Sequence, residues 1–581
     1  RRQRQMCIRD RANHSSDEHR WFEESKKGEN NPYHDYYFWK KGKKEILPNN
    51  WLSVFSGSVW EWDSNLNKYY LHSFTKKQPD LNWENPKVRD EIYDVLNFWF
   101  SKGVHGFRMD VISFISKRLD FSPAKEGATL SEMMENVYAN GPRIHEYLKE
   151  MNKKVLSKYD IVTIGEGPGV NLKTGLKYVD KNEKELDMVF HFDHLQIDFG
   201  PEGKFDPQPI DFIRFKKVFS NWDSLLKNKG WNSIFLGNHD FSRIVSRFGN
   251  DKKYRNESAK LLATLLMTLR GTPYIYQGDE IGMTNVKYPS IEHYDDIETR
   301  NAWKEAEKEN KDMDVFLKAV HRQSRDNART PLQWDNSKFA GFSTTKPWIN
   351  INANYNKINV ELQQYNSDSI LNYYREIIRI RKNNSTLIYG DFLDMEPSNE
   401  KLYIYKRWNQ QKTYVIVLNF SEAVDVESGN ITIKKTSDDS TLETVDVTEN
   451  KVTGTGTNQI TINPSNTFSS STEYYVLIDA TAFDDAAGNS YAGISSTTAL
   501  SFTSQDTGNP YLTSTTPAHQ ATGIAVNTNI VLNFSENVDV ESGNITIKKT
   551  SDDTSVETID VTGNTVTGSG STQITINPSS N

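Results

Sequence analysis

The sequence holds one cysteine, Cys7, among 581 residues. That excludes an internal disulfide and any metal site built on several thiolates. No apolar run approaches the roughly 20 residues of a membrane-spanning helix, so no membrane span is expected. Nor is there an excess of basic charge. The formal net charge is −8, which argues against nucleic acid as a partner. Beyond Glu422 there is no tryptophan, methionine, cysteine or arginine. All 13 tryptophans lie at or before Trp408, while Thr, Ser, Asn and Asp dominate the rest. Such a shift marks a domain boundary by composition alone. The length also exceeds one compact domain and implies several units.

What is present before that boundary is an alternation of short apolar strands with amphipathic helices. "VRDEIYDVLNFWFSKG" has helical spacing and a terminal glycine, and "HGFRMDVI" follows it as a strand. A helix around Ile144 to Leu156 precedes "DIVTIGEGP". "LDMVFHFD", "NSIFLGNHD" and "TPYIYQGDE" read as further strands, separated by "IDFIRFKKVFSNWDSLLKNKG" and "ESAKLLATLLMTLRG" as helices. Five helix-separated strands imply parallel βα units, in a doubly wound sheet or part of a barrel. "SILNYYREIIRIRKNN" closes the run as a helix, and "KLYIYKRW" and "TYVIVLNF" begin a small β domain. From residue 417 everything reads as strand and turn. "VLNFSEAVDVESGNITIKKTSDD" at Val417 returns as "VLNFSENVDVESGNITIKKTSDD" at Val531, a tandem repeat of a sandwich-sized unit.

Three strand ends carry chemistry. In "GFRMD" alternate residues share a face, so Arg108 and Asp110 point together. Arg108 would keep the Asp110 carboxylate ionised, which suits a nucleophile; a buried ion pair is the bland alternative. "TIGEGPG" puts Glu166 at the next strand end, and "LGNHD" puts His239 and Asp240 at a later one. In parallel βα folds the C-terminal strand ends line the active site. Two of the carboxylates suffice for glycoside chemistry, one attacking the anomeric carbon and one serving as acid and then base. The third would raise the acid's pKa by like-charge repulsion. A lone strand-end carboxylate is more often a helix cap or ion-pair partner. The ordered set is the signal.

With "NHSSDEH", "QPDLNWENP", "GFRMDVI", "IGEGPG", "LGNHD", "YQGDEIGM" and "SRDNARTPLQW" in order, residues 13 to about 420 resemble glycoside hydrolase family 13, the α-amylase superfamily, in its oligo-1,6-glucosidase and α-glucosidase branch. The resemblance implies a (β/α)8 barrel. It implies Asp110 as nucleophile, Glu166 as acid/base and Asp240 as the third carboxylate. It implies His14, Arg108, His239 and Arg329 as sugar contacts in the first glycone subsite. Val111, after the nucleophile, resembles the residue that branch members use with α-1,6 linkages. The function implied is a retaining, exo-acting α-glucosidase acting on α-1,6 or α-1,4 bonds of short gluco-oligosaccharides. The alternative is an adhesive surface protein carrying an inactive remnant.

Some features depart from the family pattern. "EGPG" replaces the usual "EMPG" beside the acid/base. The family's opening βα units and its metal-binding Asp-rich loop have no counterpart before Asn13, so no cofactor is expected in the enzyme portion. A His14, Asp17 and His19 metal cluster is the less favoured reading of "NHSSDEH". "RRQRQMCIRDR" is basic and lacks the order of a signal peptide. Residues 1–12 are therefore expected to be a leader outside the fold, with Cys7 foreign to it. Residues 13–83 are expected to form a subdomain inserted after barrel strand 3, residues 84–385 a partial barrel, and residues 386–420 the start of a C-terminal β domain. A barrel with five strands leaves open edges, and the chain as it stands is expected to be insoluble or inactive.

The tail resembles bacterial Ig-like domains of the S-layer type, over residues 417–506 and 507–581. The resemblance implies spacing or surface display. "DATAFDDAAGNSYAG" could take Ca²⁺ or form a solvated turn. The enzyme branch implies a cytoplasmic location and the repeats an extracellular one; both stay open. "IVLNFSE" at Ile416 fits both families and reads as a seam between them.

Overall fold

The Gly106–Met109 strand is the one around which the catalytic portion is built. The computed structural model describes residues 7–410, 412–420, 424–455, 460–485, 491, 493–505 and 508–579. Gly106–Met109 pairs in parallel with Val162–Glu166, Arg108 opposite Ile164. Val162–Glu166 pairs in parallel with Met188–Phe190, Glu166 opposite Phe190. Ser233–Ile234 and Thr272–Pro273 form a second parallel pair. The Ser233 hydroxyl, donating to the Val189 carbonyl at 2.6 Å, joins the two sets. All five expected strands are present, each far shorter than its apolar run.

A sixth strand corrects the reading of the N-terminus. Cys7–Asp10 pairs in parallel with the other edge of Gly106–Met109, from Cys7 opposite Gly106 to Asp10 opposite Met109. Residues 7–12 therefore do not stand outside the fold as expected. "CIRD" has no apolar run to announce a strand; its place comes from backbone pairing with a neighbour far along the chain.

The helices cover this sheet with faces that their sequences dictate. Pro86–Ser101 starts at Asn85, whose side chain accepts from the Lys87 amide, and proline suits the first helical turn. It buries Val88, Ile92, Leu96 and Phe100, spaced four apart on one face. Phe212–Leu226 is capped by Asp211 and buries Phe215, Phe219, Trp222 and Leu226 in the same way. Arg255–Thr268 is buried along its whole second half and pairs with Ile370–Lys382, which Ser369 caps.

Between the first two strands the chain makes an excursion whose ends meet. The Trp83 indole donates to the Ala12 carbonyl at 2.7 Å, and the Leu81 amide to the Asn13 carbonyl at 2.8 Å. The excursion holds a three-stranded antiparallel sheet with Lys68–Leu71 at its centre. Trp51, Val59, Trp60 and Tyr69 fill its core.

After the last helices, Asp391–Asp394, Leu402–Trp408 and Thr413–Asn419 form an antiparallel sheet. Arg407 is fully buried and donates to the Leu387, Gly390 and Asp391 carbonyls. The chain divides into two compact units. One is Arg1–Ile433 with Glu443–Ser465 and Val476–Leu500; the other is Lys434–Leu442 with Asn466–Tyr475 and Ser501–Asn581. In the second unit Leu512–Thr516, Ile530–Val538, Ser571–Ile576 and Val566–Thr567 form one sheet in that order, and Asn544–Lys548 pairs with Ser555–Asp560. In the first, Val424–Val426 pairs with Phe483–Asp485. The two copies of "IVLNFSE" thus enter different sheets. Ile416 lies opposite Tyr405, and Ile530 opposite Ile576. Residues 421–422 of the first copy, and residues 486–490 and 492 of the acidic loop, lie outside the described residues. Among the described residues no helix is long and apolar enough to cross a membrane.

Candidate active site

Asp110 follows the Gly106–Met109 strand, and Val111 behind it turns the chain with φ +39°. This left-handed conformation is uncommon for a β-branched side chain and marks a constrained backbone. The turn aims the Val111 amide at the neighbouring strand end, where it donates to Glu166 Oε2 at 2.9 Å. Gly165 makes the close packing feasible: a Cβ there would stand 2.7 Å from Ile112 and 2.8 Å from Leu186.

Arg108 joins the two carboxylates. One terminal nitrogen pairs with Asp110 Oδ1 and the other with Glu166 Oε1. Both carboxylates are almost wholly shielded from solvent, at 7% and 6% side-chain exposure. Burial pushes the Glu166 carboxyl up to about 7; Asp110 and Asp240 add to the rise, while Arg108 and the Val111 amide oppose it. Like-charge repulsion was the expected cause. It contributes, but desolvation is larger, because the side chain at this strand end is almost wholly shielded from solvent.

Asp240 stands among basic side chains. His239 Nε2 lies 3.1 Å from Oδ2, and Arg325 and Arg329 reach Oδ1 at 3.1 and 2.8 Å. Arg329 also donates to the His239 carbonyl at 2.9 Å. Burial alone would raise the Asp240 carboxyl; His239, Arg325, Arg329 and Lys204 outweigh it and hold the pKa below its ordinary value. Two of these cations were missed in the sequence. Arg325 also grips Asp296 at 2.6 Å and lies over the Phe55 ring at 4.5 Å. Lys204 reaches the Asp240 carbonyl at 3.1 Å and Glu298 at 2.7 Å. Arg325 lies in the quoted "SRDNARTPLQW", four residues before Arg329, one helical turn away. Lys204 had no local signal.

His14 is buried within the electrostatic reach of Asp110. Burial lowers its pKa to about 4, against the pull of Asp80 and Asp110, so the ring is neutral. Its Nε2 is 3.0 Å from the Gln78 amide, and its ring packs on Phe74 at 5.2 Å. His19 instead caps the Arg20–Ser25 helix through the Trp21 amide. Among the described residues no group of three His, Cys, Asp or Glu is placed to hold a metal. The structure therefore brings all eight expected residues into one connected site: Asp110, Glu166, Asp240, His14, Arg108, His239, Arg329 and Val111.

Comparison with known proteins gives the family. The α-amylase catalytic-domain profile matches residues 7–390. The chain belongs to the α-amylase family of glycoside hydrolases. Among relatives of this family chain, the oligo-1,6-glucosidase of Parageobacillus thermoglucosidasius is 51% identical over 418 residues, 71% of this chain and 74% of the relative. That of Bacillus cereus is 48% identical over 418 residues, covering 71% and 74%. The solved isomaltulose synthase of Erwinia rhapontici NX5 superposes with TM-score 0.71 at 41% identity, covering 79% of this chain and 82% of that one. Behind the α-amylase-family portion, residues 406–504 and 506–581 match the bacterial Ig-like domain profile. The first of these matches begins inside the Leu402–Trp408 strand of the enzyme. It therefore overlaps the stretch where the two families share sequence.

Proposed function

We propose that this chain is a retaining, exo-acting α-glucosidase that hydrolyses α-1,6 bonds, and secondarily α-1,4 bonds, of short gluco-oligosaccharides. The observation that carries the reading is Arg108 lying against both a strand-end aspartate and a buried glutamate whose pKa is raised to about 7. The first is suited to attack, the second to hold a proton near neutrality. The Asp110 carboxylate attacks C1 of the terminal glucose, while Glu166 gives its proton to the departing glycosidic oxygen. The glycosyl ester on Asp110 is then cleaved by water, which loses a proton to Glu166. Asp240, His239, Arg329 and His14 hold the glucose ring. These steps use side chains alone. The oligo-1,6-glucosidase relatives and Val111 after the nucleophile favour the α-1,6 linkage.

The expectation of an insoluble or inactive chain rested on an open sheet of five strands; six are described, the catalytic groups stand assembled, and turnover by the parent chain decides between the two. The parent chain is expected to release glucose from isomaltose and 4-nitrophenyl α-glucoside. Asp110→Asn should lose at least about 1,000-fold in kcat. Glu166→Gln should lose far more on isomaltose than on the nitrophenyl substrate, whose leaving group needs little protonation. A transfer product in place of glucose, or an active Asp110→Asn, would count against the proposal. The Ig-like repeats support a second element of it, attachment of the enzyme to a cell surface. Its check is whether activity sediments with cell envelopes only while residues 424–581 are present.

A further inference from the structure

Behind the sugar-facing His14 lies a charged pair that the chemistry above does not use. Lys117 and Asp80 meet at 3.0 Å with side chains 1% and 0% exposed. Lys117 lies on the loop that leaves Asp110 through the Ile112–Phe114 turn. Its ammonium donates to the Phe114 carbonyl at 2.6 Å and to Asn13 Oδ1 at 2.7 Å. Asp80 lies in the returning arm of the inserted excursion. It accepts from the Ser73 amide at 3.1 Å, from the Ser73 hydroxyl at 2.5 Å and from Asn13 Nδ2 at 3.2 Å. Asp80 is also the β-bridge partner of His14. The three donors on Lys117 thus tie together the nucleophile's loop, the Asn13–His14 segment and the returning arm of the excursion.

A buried ion pair is a poor way to gain stability, since desolvation offsets the attraction and apolar replacement is often neutral. What it does give is a fixed geometry, because a buried ammonium must keep all its acceptors. We propose that Lys117 is a positioning residue that sets the nucleophile's loop and His14 at a fixed separation, through Asp80 and Asn13. The proposal rests on the α-glucosidase reading. The separation matters because Asp110 attacks the anomeric carbon of a glucose that His14 helps to hold. A misplacement of about 1 Å there costs on the order of 100-fold in rate.

The test compares the full-length parent with Lys117→Met and with Lys117→Met/Asp80→Met, by thermal melting and by kcat and KM on 4-nitrophenyl α-glucoside. Parent turnover decides whether the α-glucosidase reading stands; the ratio of variant to parent decides this one. Lys117→Met should melt lower, because it leaves Asp80 buried without its cation. The double variant should recover melting to within roughly 4 °C of the parent. Its kcat/KM should stay about 10- to 100-fold down, with KM for the glucoside raised. Recovery of kcat/KM along with melting would overturn the proposal and leave a structural pair only. So would a parent-like kcat/KM in Lys117→Met. If neither charge variant yields folded protein, Asn13→Ser, which withdraws one acceptor, decides in their place. A fall in kcat/KM with unchanged melting supports positioning, and parent-like kinetics overturn it.

Discussion

Glu166 shows how one residue acquires its role. Its strand was legible in "DIVTIGEGP", since an apolar run ending at Glu-Gly-Pro-Gly must stop being a strand there. Its raised pKa follows from the sequence only in part, because the dominant cause is burial, which depends on packing across the chain that no local pattern reveals. The consequence is a pH limb. The acid must be protonated to serve the leaving group, and its folded pKa is raised to about 7. Activity on isomaltose, as kcat/KM, should therefore fall as pH rises through about 7, tenfold per unit well above it. A profile flat from pH 6 to pH 9 in roughly this range would show that Glu166 is not the titrating acid. Arg325 marks the other side of legibility. It touches Asp240, Asp296 and Phe55. Only the folded chain brings those three together.

At the scale of elements, the junction of the Met188–Phe190 strand with the Phe212–Leu226 helix is built on imidazoles. His191 stacks on Trp222 with ring centres 4.1 Å apart, and His194 packs against Phe219 and Phe235. Both rings are buried. Burial lowers the pKa of His191 well below 6.5, with His194 adding to the effect. It lowers that of His194 to about 3, with Arg247 adding and a backbone contact at Phe235 opposing. The folded pKa values lie below the unfolded one. The neutral rings are therefore accommodated at no protonation cost above about pH 6.5, and stability is lost as pH falls from there towards 3. For His194 the loss is on the order of 1.4 kcal/mol per pH unit within that window, and His191 adds to it in the same direction. Melting temperature should drop between pH 7 and pH 5, and a His191→Phe/His194→Phe variant should drop less. Equal drops would show that other groups set the acid limit. The strand itself was legible from "LDMVFHFD"; the apolar use of its histidines was not, since two histidines three apart read equally well as ligands.

At the scale of the whole molecule, what the sequence made plain was order: strands, helices, then repeats. Five strands, the closing helix and two strands of the sheet after it, Leu402–Trp408 and Thr413–Asn419, stand where their hydrophobic periods put them, while Asp391–Asp394 joins that sheet without an apolar run of its own. What it hid was anything decided across the chain. Cys7–Asp10 looked foreign because its residues are basic and acidic, yet its backbone completes an edge of the sheet. "IVLNFSE" was ambiguous because a strand's own pattern does not name its partner, and the two copies take different ones. The central claim is that Asp110 and Glu166 act as nucleophile and acid/base on an α-glucosidic bond. Proton NMR of the first glucose released from isomaltose, read before mutarotation, tests it most directly. Double displacement predicts the α anomer; release of the β anomer, or no release by folded protein, would contradict it.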